Sequence, residues 1–112
     1  MSQITPQELK AKLENGETFE LVDLRDSHSY AEKHIPGASN VPAGETFVEM
    51  LAGIVPDKEA PIILYNDRQE DTSDKDCSAA LEAAGYIAVL TLPDGLTGWM
   101  NAGYQVEGGQ ES

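Results

Sequence analysis

The stretch PIILYNDRQEDTSDKDCSAALEAAGY, residues 61–86, decides the fold. Residues 61–65 are an unbroken apolar run, the mark of a strand buried on both faces. A polar loop follows. A helix is then expected from about Asp74 to Ala84, stopped by Gly85. Strand, loop and helix in this order make half of a β–α–β crossover, the building unit of a parallel sheet. Ligands of such sheets sit at the carboxyl ends of the strands. Residues 66–76 are therefore the first place to look for a site.

The flanking chain continues the alternation. In ITPQELKAKLENG (4–16), Thr5 can cap a helix, Pro6 fits its first position and Glu8 completes a capping box. Leu9 and Leu13 share a face, and Asn15–Gly16 ends the segment. FELVDL (19–24) reads as a strand, and RDSHSYAEKH (25–34) as a short helix capped by Asp26 or Ser27. Pro36 and Gly37 punctuate, and residues 40–42 suit a very short strand. ETFVEMLAGIV (45–55) predicts an amphipathic helix with Phe47, Met50, Leu51 and Ile54 on one side. That stripe is read as core, with part of it able to act as a docking face. IAVLTL (87–92) is the next strand, PDG a turn, and residues 96–103 a last short helix. Strands alternating with helices argue for one α/β domain, with a mainly parallel sheet, helices on both faces and right-handed connections.

Composition bounds the function. The 112 residues suffice for one core, and 40% hydrophobic with 24% charged is a globular balance. Twenty acids against seven Lys and Arg give a net charge of −13. Such a surface repels nucleic acid and anionic membranes; it reads first as a solubility-favouring or salt-adapted surface, and second as an acidic face for a protein partner with a basic surface. The last basic residue is Lys75. No apolar run approaches the roughly 20 residues of a membrane helix. The first ten residues lack the pattern of a secretory signal, so a cytoplasmic location is expected. One cysteine, Cys77, rules out an intramolecular disulfide, and with two histidines it makes a zinc site improbable.

Two segments carry a resemblance to a known family. LVDLRDSHSYAEKHIPGASNVP (21–42) holds a strand ending in Asp-x-Arg, an aromatic soon after, His-Ile-x-Gly-Ala and a Pro-terminated strand. Asp23, Arg25, Tyr30, His34, Ile35, Gly37, Ala38 and Pro42 occupy these places. LTLPDGLTGWMNAGYQVE (90–107) adds Gly95, Trp99, Gly103 and Val106. Together they resemble the rhodanese-like domains, over about Ile4 to Glu107. The resemblance implies a three-layer α/β domain over residues 1–107 with a sheet of about five strands; the polar residues 108–112 read by themselves as a flexible tail. It implies sulfur transfer: a cysteine directly after the central strand takes sulfur from thiosulfate or a persulfide and passes it on. A short loop, typically Cys-Arg-x-Gly-x-Arg, curls around that sulfur. Its N–H groups and the following helix N-terminus stabilise the anion.

This chain departs from that pattern at the decisive place. The cysteine position holds Asn66, whose amide has no ionisable nucleophile. The loop that follows, with Asp67, Arg68, Gln69, Glu70, Asp71, Thr72 and Ser73, has no glycine and is longer than the usual sulfurtransferase loop. Five acids and two bases stand between Asn66 and Cys77. A helix N-terminus favours an anion by about 0.3–1 kcal/mol. A carboxylate about 6 Å away opposes it by about 1–3 kcal/mol, so one or two inward-facing acids cancel the preference.

These observations predict a binding or regulatory module whose recognition surface is the loop. The rival is a sulfurtransferase acting through Cys77 or an unusual loop. Hydrolysis or phosphoryl transfer on the same scaffold has no visible nucleophile, and a redox-linked dimer through Cys77 is a further rival. Cys77, Ala80, Leu81 and Ala84 follow helical spacing, a core stripe, which favours a buried thiol over a reactive one. Asp23 and Arg25 are expected to tie to each other and His34 to hold its turn, with His28 on the surface. The acidic loop lacks the calcium spacing D-x-[DN]-x-[DN]-G, so neither metal nor cofactor is expected. The oligomeric state is left open by the sequence.

Overall fold

A computed structural model describes residues 2–67 and 73–108 of the chain. Among them, strand β1 is Ser2–Gln3, β2 Glu20–Asp23, β3 Ser39–Asn40, β4 Ile62–Tyr65 and β5 Val89–Leu92. The helices are α1 Pro6–Glu14, α2 Ser27–Glu32, α3 Phe47–Ile54, α4 Ser73–Ala83 and α5 Gly95–Asn101. The strands form one sheet in the order β1-β5-β4-β2-β3, and every pairing is parallel. The expected α/β architecture, a parallel sheet with helices on both faces, is what the chain adopts. The pair β1, at the sheet edge, had no counterpart in the sequence reading.

Local chemistry sets the element ends. Thr5 accepts from the Glu8 N–H at 3.1 Å, and Glu8 returns the bond to the Thr5 N–H at 3.0 Å, so the expected capping box starts α1. Asp26 caps α2 by accepting from the Ser29 N–H at 2.8 Å, which holds the Asp26 carboxyl below its usual value. Gly37 ends the turn after α2 at φ 87°, a conformation that other residues resist.

Period-two alternation splits the core into two layers. On one face Val22, Leu24, Ile62, Leu64 and Val89 pack with Phe47 and Leu51 of α3 and with Cys77 and Leu81 of α4. On the other, Leu21, Ile63, Tyr65 and Leu92 pack with Leu9 of α1 and with Leu96 and Trp99 of α5. β4 lies at the centre and is buried at every residue. Two expected stripes need correction. In α3, Phe47 and Leu51 are buried, but Met50 and Ile54 are 46% and 49% exposed. In α4, Cys77 and Leu81 are buried while Ala80 is exposed. Both helices lie on only one side of the sheet, so only a narrow strip of each reaches it.

Candidate functional site

The carboxyl end of β4 delivers Tyr65 and Asn66 to the centre of the sheet edge. Asn66 is 1% exposed, and its Nδ2 donates to Ser73 Oγ at 3.0 Å. Its backbone carbonyl accepts from the Leu96 N–H at 2.9 Å, and the Asp67 carbonyl accepts from the Thr97 N–H at 2.9 Å. The exit of β4 is thereby fastened to the first turn of α5. Ser73 is the first residue of α4. Asp67 is exposed, while Arg68, Gln69, Glu70, Asp71 and Thr72 lie outside the described residues.

The start of α4 carries its own negative charge. Asp74 and Asp76 sit in the first turn. Asp74 is 2% exposed, and its Oδ1 accepts from the Lys75 N–H at 2.9 Å. A backbone donor at the helix start is thus taken by a carboxylate of the chain itself, and the favourable interaction of the helix dipole goes to these acids.

Beside Asn66 lies a buried polar cluster. Asp23 is fully buried and pairs with Arg25 through both carboxylate oxygens, with Arg25 Nη2 2.8 Å from Asp23 Oδ2. Burial opposes the charge on Arg25. The hydrogen bonds and charge of Asp23 outweigh that, helped by the charge of Asp67, and the Arg25 pKa is raised. The Tyr65 hydroxyl donates to Asp23 Oδ2 at 2.7 Å and accepts from the Ile35 N–H at 3.0 Å. Burial and the neighbouring Asp23 charge push the Tyr65 hydroxyl well above its usual pKa. Asn40 Nδ2 donates to the Asp23 and Arg25 carbonyls at 3.1 and 2.8 Å. The Asp23–Arg25 tie is therefore internal, as expected, whereas Tyr65 and Asn40 were not singled out from the sequence. The available signal was a tyrosine ending an aliphatic strand, since a buried hydroxyl needs partners.

The remaining candidates fall into place around this frame. The His34 ring stacks on Tyr30 at 3.9 Å between centroids, and its Nδ1 lies 2.8 Å from the Tyr30 carbonyl. Its backbone forms an antiparallel bridge with Glu107. The His28 side chain is exposed and lies 3.2 Å from Glu32. Trp99 is buried and donates from Nε1 to the Gln105 carbonyl at 2.7 Å. Cys77 is the fifth residue of α4 and 6% exposed, inside the helix and not on the loop. It lines a cleft of about 310 Å³ between the start of α3 and α4, together with Ala43, Phe47, Val48, Ala80 and the acids Glu45 and Asp76. Among the described residues no group of His, Cys, Asp and Glu is arranged to hold a metal, and no helix is long and apolar enough to cross a membrane.

Residues 5–102 match the sequence profile of the rhodanese-like domain. The chain belongs to the rhodanese-like family. Solved rhodanese-like domains have the same architecture: the Alr3790 protein from Anabaena superposes with a TM-score of 0.83 at 32% identity, covering 94% of this chain and 91% of that one. A thiosulfate sulfurtransferase from Pseudomonas aeruginosa gives 0.86 at 29% identity, over 98% of this chain and 21% of that one. By sequence, the HTH-type transcriptional regulator Rv0324 of Mycobacterium tuberculosis is 35% identical over 95% of this chain and 45% of its own length. The putative sulfur carrier protein YrkF of Bacillus subtilis is 26% identical over 87% of this chain and 50% of its own length. The chain thus spans about half the length of these curated relatives. As a rhodanese-like domain it carries Asn66 where the family's nucleophile stands, and its one cysteine is buried in α4, an arrangement consistent with reduced or absent sulfurtransferase activity.

Proposed function

We propose that this rhodanese-like domain is a binding or regulatory module, with the loop 66–76 and its neighbours as the recognition surface and a partner of basic character. The observation that carries this reading is Asn66. It occupies the end of the central strand with a carboxamide, which can neither ionise to a nucleophile nor hold a transferable sulfur. The acids at the start of α4 support it, because the donor end of that helix already meets its own carboxylates. The occurrence of such a domain within a protein described as a transcriptional regulator is compatible with a non-catalytic role.

The competing reading is sulfur transfer through Cys77, favoured by one fact, that Cys77 lines a cleft. Against it stand its 6% exposure and its place inside α4, away from the end of β4. A thiosulfate–cyanide assay on the wild type and on Cys77→Ala separates the two. The expected result is no turnover above background in either protein. Turnover in the wild type that vanishes in Cys77→Ala overturns the binding reading.

A further inference from the structure

The cleft between α3 and α4 has an uneven composition. Its walls are mainly apolar, from Ala43, Phe47, Val48 and Ala80, and its charged lining residues, Glu45 and Asp76, are both acids. No Lys or Arg lines it among the described residues. At about 310 Å³ it lies at the small end of ligand-binding cavities, room for one anchoring side chain and not for a whole helix. We propose that this cleft is a docking groove for a basic segment of a partner protein, which inserts one aliphatic side chain between Val48 and Ala80 while flanking Lys or Arg side chains meet Glu45 and Asp76. The inference rests on the binding reading above and gives it a surface and a ligand chemistry.

Charge selects the occupant. The apolar walls supply affinity by removing an aliphatic side chain from water, and the acidic rim supplies orientation and on-rate. A second copy of this chain is a poor occupant, because two molecules each carrying −13 repel. An acidic peptide meets the same repulsion. The groove lies on the face of the sheet opposite α1, so a distant charge on α1 provides a matched control for general attraction between a basic peptide and an acidic protein.

The test is titration of the full chain, uniformly labelled for amide NMR, with the peptide Lys-Lys-Leu-Lys-Lys and with its serine-for-leucine and all-glutamate counterparts. Shift changes are expected to centre on the amides of Glu45, Val48, Asp76 and Ala80. The serine peptide is expected to bind at least about fivefold more weakly, from the lost apolar burial. Glu45→Lys and Asp76→Lys are each expected to weaken binding about three- to tenfold, and Glu14→Lys on α1 by less than about twofold. Asp76 is in the first turn of α4, so Glu45→Lys, outside any helix, keeps the test valid if Asp76→Lys disturbs the fold. Shifts centred elsewhere, equal weakening by Glu14→Lys, equal binding of the serine peptide, or self-association through the groove each overturn the docking proposal. Shifts centred on Asn66 and Asp67 overturn the groove but leave the binding reading standing, whereas sulfur turnover through Cys77 overturns that reading instead.

Discussion

Tyr65 ends an aliphatic strand with a hydroxyl, and a hydroxyl on a buried side chain must find partners. It finds two, the Asp23 carboxylate 42 residues back in the chain and the Ile35 N–H 30 residues back. Removing it leaves a buried N–H and a buried carboxylate oxygen each short of one bond, and the ring still fills its place. Tyr65→Phe is expected to lower stability by about 1–3 kcal/mol, read as a fall in the urea midpoint at unchanged slope. Proximity in sequence decided what could be foreseen at this scale. The Asp23–Arg25 tie spans two residues and was legible in Asp-x-Arg. The partners of Tyr65 come from segments that meet only in the folded sheet, and nothing local announces them.

At the scale of elements, helix starts were legible because capping is local: Thr5, Pro6 and Glu8 fix the start of α1 within four residues. Of the two-residue strands, β1 was missed and β3, expected at 40–42, lies at Ser39–Asn40, since two residues carry no periodicity and owe their pairing to β5 and β2. In α3 the spacing gave the direction of the apolar stripe but not its width, which is set by how closely the helix approaches the sheet; Met50 and Ile54 fall outside it. The packing of α4 on β5 carries a polar cost. Ser78 Oγ and Thr91 Oγ1 are buried with no hydrogen-bond partner among the described residues. Thr91→Val exchanges that hydroxyl for a methyl group on the apolar side of β5. It is expected to stabilise the protein by about 1 kcal/mol, seen as a rise in Tm of about 4 °C.

The whole molecule joins two layers through one sheet, and the polar cluster of Asp23, Arg25 and Tyr65 sits within one of them. Burial and the Asp23 charge raise the Tyr65 pKa in the folded state. A tyrosine whose folded pKa is raised contributes stability in full below its unfolded value, about 10, and loses it as pH rises above that value. Alkaline unfolding is therefore expected to begin above about pH 10, with the last tyrosinate absorbance appearing together with loss of the far-ultraviolet circular dichroism signal. Ionisation of all four tyrosines before that signal changes contradicts it. The α/β class was legible at this scale because alternation persists along the entire chain. The site was legible only as a position: Asn66 and the acids after it could be named, but the burial of Asp74 and the groove between α3 and α4 depend on elements brought together by the crossover.

The bonds from Leu96 and Thr97 to the carbonyls of Asn66 and Asp67 use main-chain atoms alone, and so do not depend on which side chains those two positions bear. The mount is indifferent to its fitting. A cysteine installed at position 66 would inherit the same anchorage, and reviving sulfur chemistry here becomes a problem of rewriting the segment after it, in length, in glycine and in charge, while the strand exit stays as it is.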